Sequence, residues 1–116
     1  MIKKNGTLPV KVNENMRGGE GSVKIEAMLA PEEMFNKGRL FSKLTIPPGS
    51  SIGFHTHEKE MEAFYVISGQ GEYDDNGQTI AIGAGDVLYT PAGGGHAVKN
   101  ADASADLLII ALIITE

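Results

Sequence analysis

His55 and His57 stand one residue apart, and Glu62 follows five positions after the second. Alternate side chains of a strand leave on the same face, so both imidazoles emerge together. Two neutral imidazoles and a carboxylate are three of the four groups that a divalent transition metal takes from a protein. The chain has only three histidines, so the fourth group points to His96, in a glycine-rich segment over residues 85–100. Three nitrogens and one oxygen are borderline in softness and suit one ion of Mn, Fe, Co, Ni, Cu or Zn per chain. That set leaves one or two positions open to water or substrate, which separates a catalytic site from a closed structural one.

Other chemistry-bearing residues lie close by. Glu58 follows His57 directly and is too near to swing back onto the same ion without strain. Glu60 shares the parity of Glu62 but precedes the strand signal at Met61, so it reads first as a solvated loop carboxylate. It stands as the candidate for work behind the ligands or in proton transfer. Tyr65 and Tyr89 read as outer-face packing residues, and Asp86 as a turn residue accepting from backbone N–H groups. Arg17, in the polar loop over residues 13–21, reads as a solvated surface arginine in preference to a substrate clamp.

The elements that must position these groups are strands. Residues 22–29 put Val23, Ile25, Ala27 and Leu29 on one face and Lys24 and Glu26 on the other. Proline at 31 and glycine at 38 bracket a single helical turn. Residues 39–46 are the next strand, with Phe41, Lys43 and Thr45 on one face and Leu40, Ser42, Leu44 and Ile46 on the other; both faces are mixed, so either could line a pocket. If Glu62 is a ligand, Phe64 and Val66 share its face and line the interior beneath the ion. Asn76-Gly77 is the strongest hairpin signal. Residues 107–114 are apolar on both faces of a strand, so something must cover the outer one. A second copy of the chain is the simplest cover, so a homodimer is expected. Residues 1–21 form an arm whose strand, demoted to an edge by Pro9, could reach across to the partner; residues 22–116 form the barrel.

Two segments resemble the paired motifs of the cupin family. The first motif, G-x5-H-x-H-x(3,4)-E-x6-G, is matched by Gly49, His55, His57, Glu62 and Gly69. The second, G-x5-P-x-G-x2-H-x3-N, is matched by Gly85, Pro91, Gly93, His96 and Asn100. The resemblance implies an all-β double-stranded β-helix, a small jelly-roll barrel with minimal helix, and a metal near one end held by His55, His57, Glu62 and His96. Cupins span isomerases, decarboxylases, dioxygenases, sensors and storage proteins. The resemblance therefore implies a metal-dependent enzyme on a small oxygen-bearing metabolite, of oxygenase, decarboxylase or isomerase type. The alternative it leaves is a non-catalytic sensor or binding module using the same pocket.

Composition agrees with that reading. At 116 residues the chain makes one domain with a real core. A net charge of −5 without a basic cluster argues against nucleic acid. The absence of cysteine excludes disulfides, thiol nucleophiles and sulfur ligands. The longest apolar run, over residues 107–114, is too short to span a bilayer, and the N-terminus lacks a signal-peptide pattern. A cytoplasmic location without membrane partners is the expectation.

Overall fold

Short runs of alternating apolar residues, cut by glycine and proline, become ten strands. In the computed structural model, which describes all 116 residues, these are β1 (Val10–Glu14), β2 (Ser22–Leu29), β3 (Gly38–Ile46), β4 (Ser51–Thr56), β5 (Glu60–Ser68), β6 (Gln70–Asp75), β7 (Gln78–Gly83), β8 (Val87–Thr90), β9 (Gly95–Asn100) and β10 (Leu107–Thr115). Helix is limited to two 3₁₀ turns, Met16–Gly18 and the expected one at Pro31–Met34. The strands form a six-stranded sheet of order β1-β2-β3-β10-β5-β8 and a four-stranded sheet of order β4-β9-β6-β7. Neighbours pair antiparallel throughout. The two sheets enclose the core as a double-stranded β-helix. No helix is long and apolar enough to cross a membrane.

Register decides which side chains meet. β10 sets Ile109 against Leu44 of β3 and Val66 of β5, and Ala111 against Ser42 and Phe64. Opposite residues of an antiparallel pair share a face, so these side chains all point inward. Ile46, Val66, Leu107 and Ile109 are completely buried, and each such side chain contributes about 1.5–3 kcal/mol relative to exposure. The inner face of β3 is thus Leu40, Ser42, Leu44 and Ile46, while Phe41, Lys43 and Thr45 turn outward. Within one chain only the inner face of β10 is covered. Leu108, Ile110 and Leu112 are half-buried and Ile114 is exposed.

Two local expectations are realised. Asn76 (φ 53) and Gly77 (φ 102) turn β6 into β7, and Asp74 Oδ1 accepts from the Gly77 N–H at 2.7 Å. Both central residues need positive φ in this two-residue turn, which asparagine tolerates and glycine favours. β1 lies at the sheet edge, paired with β2 from Val10↔Glu26 to Glu14↔Ser22, and Pro9 stands just before it, accepting from the Ala27 N–H at 3.0 Å.

Candidate metal centre

The histidines come together through one strand pair. β4 pairs with β9 so that His55 lies directly opposite His96. The register shifts between Ile52 and His55, a bulge at Gly53 and Phe54 that re-aims the end of β4. His57 sits just past the strand, where its N–H donates to Gly94 O at 3.0 Å and its carbonyl accepts from Gly93 N–H at 2.6 Å. Glu62 arrives from the opposite sheet, on β5 between Ile113 of β10 and Thr90 of β8.

Four donor atoms converge. His57 Nε2 and His96 Nε2 are 3.1 Å apart, and His96 Nε2 is 3.2 Å from His55 Nε2. Glu62 Oε1 lies 2.9 Å from both His57 Nε2 and His96 Nε2. With metal–donor bonds of about 2.1 Å, neighbouring corners of an octahedron are about 3.0 Å apart and those of a tetrahedron about 3.4 Å. The shortest separations therefore match adjacent octahedral corners, and all four donors lie within 4.8 Å of one another. His57, Glu62 and His96 are buried and His55 is half-buried.

The far side of each imidazole is already held. His55 Nδ1 donates to the Gly53 carbonyl at 2.8 Å, and His57 Nδ1 donates to Glu60 Oε2 at 2.5 Å. His96 Nδ1 meets Tyr73 Oη at 2.7 Å and Thr90 Oγ1 at 2.9 Å, and those two hydroxyls bond each other at 2.8 Å. A carbonyl and a carboxylate accept only, so Nδ1 of His55 and His57 carries the proton and Nε2 offers its lone pair inward. Phe64 stacks on the His96 ring at 5.2 Å between centroids, 20° from parallel. Lone pairs and a carboxylate aimed at one point repel unless a cation lies among them. The cluster could therefore hold one divalent metal ion.

Charge around the cluster is ordered by these contacts. Burial, the largest cause, pushes the His55 pKa down, and the neighbouring imidazoles and Arg17 add to the shift. Arg39 forks onto Glu60 with Nε and Nη2 each at 2.9 Å. That guanidinium, with help from His57, holds the Glu60 carboxyl at about 2. Burial raises Tyr73 to about 12, so it remains a neutral phenol.

The cupin-domain family profile matches residues 42–113, more than half of the chain, and spans all four donors. The chain is a cupin. It is 41% identical over 114 residues to an "Oxalate-binding protein" of Thermotoga maritima, covering 98% of this chain and 93% of that one. A Thermotoga maritima crystal structure described as a "predicted oxalate decarboxylase" superposes with a TM-score of 0.95 at 40% identity, over the whole of both chains. An RmlC-like cupin of Shewanella frigidimarina shares the fold at a TM-score of 0.74 and 18% identity, over 98% of this chain and 89% of that one.

This cupin brings together all four residues that its sequence singles out, His55, His57, Glu62 and His96. Glu60 lies behind a donor, where its candidacy would put it: β5 begins at this residue, and its carboxylate joins His57 to Arg39 rather than standing as a solvated loop group. Asp86 takes its turn role, accepting from the Gly83 N–H at 2.8 Å. Tyr65 and Tyr89 are exposed on the outer face. Sequence reasoning passed over Tyr73, Thr90 and Arg39. Inward parity with Gly71 on β6 and Leu88 on β8 was the available signal for the first two; nothing local marks Arg39.

The wider surface clefts, about 840 Å³ along the β1–β2 edge, about 450 Å³ beside Gly49 and Asn100, about 430 Å³ between β7 and β8 and about 300 Å³ across β4, β6 and β9, contain none of the donors. A smaller cavity of about 70 Å³ reaches His55, His57 and Glu62 and is walled by Leu40, Phe64 and Ile113. It is the chemically equipped one.

Proposed function

We propose that this cupin is a metal-dependent enzyme that acts on a small carboxylate of the oxalate type. The observation that carries the reading is the convergence of three Nε2 atoms and Glu62 Oε1 while each Nδ1 is held elsewhere. His55, His57, Glu62 and His96 would hold the ion. A divalent ion there would supply Lewis acidity or the capacity to activate dioxygen. Leu40, Phe64 and Ile113 exclude water and confine the substrate. Glu60, ionised and shared by Arg39 and His57, orients the imidazole and raises its basicity. Among the oxygenase, decarboxylase and isomerase types, the 41% identity to an oxalate-binding protein over nearly the full chain supports the decarboxylase type or its binding counterpart.

One observation favours the second reading, a non-catalytic binding module. The cavity has no acid or base beyond His55, His57 and Glu62, and Glu60, which lies behind His57 and does not line it, is engaged on both oxygens. Incubating the metal-loaded protein with oxalate separates the two. Formate and carbon dioxide released with turnover establish the decarboxylase; stoichiometric binding without product establishes the module. Absence of oxalate binding under either assay refutes the oxalate-type assignment. The outer face of the six-stranded sheet supports assembly into a homodimer, since Ile110, Leu112, Tyr65, Val87 and Tyr89 form a continuous apolar surface there.

A further inference from the structure

Arg17, which the sequence presents as one surface charge among ten basic residues, lines the 70 Å³ cavity together with His55, His57 and Glu62. Its backbone lies in the left-handed region at φ 54, which a side chain with a Cβ adopts only when its surroundings impose it. The surroundings here are specific. Gly18 N–H donates to Asn15 O and Gly19 N–H to Met16 O, both at 2.9 Å, and Ser51 N–H donates to Glu20 O at 2.9 Å. The Arg17 carbonyl lies against Gly53 so closely that no Cβ fits there. Gly53 is the residue whose own carbonyl holds His55 Nδ1. The arginine is thus tied to the same peptide that orients a donor.

The two arginines of the cavity differ in one respect. Arg39 is paired with Glu60 on two bonds, whereas Arg17 makes no hydrogen bond or ion pair within the chain. An unpaired guanidinium at the edge of a small pocket is a fork for a carboxylate. Charge matching sharpens this. A divalent ion with Glu62 leaves one positive charge, and Arg17 adds a second, so a dianion neutralises the pocket. Size agrees, since about 70 Å³ holds roughly five water-sized groups, which fits a two-carbon dicarboxylate.

Resting on the metal-site reading above, we infer that Arg17 binds the outward oxygens of a two-carbon dicarboxylate whose inner oxygens face the four donors. It thereby selects the dianion over a monoanion of equal size.

The test is calorimetric titration of oxalate and glycolate into the metal-loaded protein and its Arg17→Gln, Arg17→Lys and Arg17→Gly variants, with metal content measured on each. The expected result is a 10–100-fold loss of oxalate affinity in Arg17→Gln, partial retention in Arg17→Lys, and less than a threefold change for glycolate. Metal content stays at the wild-type value. Arg17→Gly, which removes the charge and relieves the left-handed backbone, shows the same oxalate loss in a protein at least as stable. Equal oxalate affinity in wild type and Arg17→Gln overturns this inference and leaves the proposed function standing. Equal losses for oxalate and glycolate, or lost metal, also overturn it, by reducing Arg17 to general attraction or to support of Gly53. Wild-type metal-loaded protein that binds no oxalate refutes the oxalate reading itself, and the inference with it.

Discussion

His57 is held at both ends, by Glu60 on Nδ1 and by the donor cluster on Nε2. Partners of this kind fix a ligand's tautomer and ring plane, and their loss usually weakens metal binding 10–100-fold. Glu60→Ala is therefore expected to weaken metal affinity by about that factor while the barrel stays folded, with chelator competition as the measurement. Unchanged affinity would show that His57 needs no such support. Asn100, the last residue of the second motif, has a purely structural task. Its Nδ2 donates to Ile46 O and Ala105 O, each at 2.8 Å, and its Oδ1 accepts from the Asp102 N–H at 2.7 Å. Removing it orphans a buried carbonyl, so Asn100→Ala should cost about 1–3 kcal/mol in urea unfolding without loss of metal. Asp102 continues the same turn. Backbone N–H bonds from Ser104 and Ala105 hold its carboxyl below the usual range. A depressed folded pKa means that the unfolded chain binds the proton first. The stabilisation is thus complete above the unfolded pKa, about 4, and is lost as pH falls through the folded value. Carboxyl titration by NMR should place the Asp102 midpoint below that of an unfolded peptide, and Asp102→Asn should flatten the acid limb of stability.

At the scale of elements, the bulge of β4 is the sensitive place. Gly53 meets the Arg17 carbonyl, a backbone atom that cannot swing aside. Gly53→Ala should destabilise by about 1–3 kcal/mol through overpacking, and it should lower oxalate and metal affinity together because Gly53 also holds His55. Calorimetry on a variant with wild-type melting and binding would contradict that close approach. The same elements show what could be read beforehand. His55, His57, Glu62 and His96 stood at fixed spacing in the chain, and Asn76-Gly77 announced the β6–β7 turn, because strand parity and turn chemistry are local. The inner face of β3 was not legible, because each of its faces mixes apolar and polar residues. Tyr73 and Thr90 escaped because they reach His96 through the β6–β9 pairing and the fold-over of β8, which are long-range facts. Glu60 was placed one residue outside the strand that it begins.

At the scale of the whole molecule, the outer sheet face leaves Tyr65 47%, Val87 71% and Tyr89 57% exposed in a single chain. A homodimer through that face should appear in analytical ultracentrifugation at micromolar concentration, and Ile110→Lys should convert it to a folded monomer. A wild-type monomer would dispose of the proposal. Metal removal has a calculable effect as well. At a hundredfold excess over Kd, an ion that binds only the folded chain adds about 2.7 kcal/mol. At 4–8 °C per kcal/mol for a domain of this size, stripping it should lower Tm by roughly 10–20 °C, as read by scanning calorimetry. The origin of the four donors gives that change a direction. Three come from the end of β4 and from β9 in one sheet, and Glu62 alone comes from β5 in the other. An ion among them is a rivet through two plates. Without it the plates remain stacked on their apolar faces and on bonds such as Tyr73–Thr90 and Asn100–Ile46, but lose the tie that joins Glu62 to the three imidazoles. Amide hydrogen exchange should then quicken at β4, β9 and β5 together, ahead of the β3–β10 pair, which the rivet does not cross.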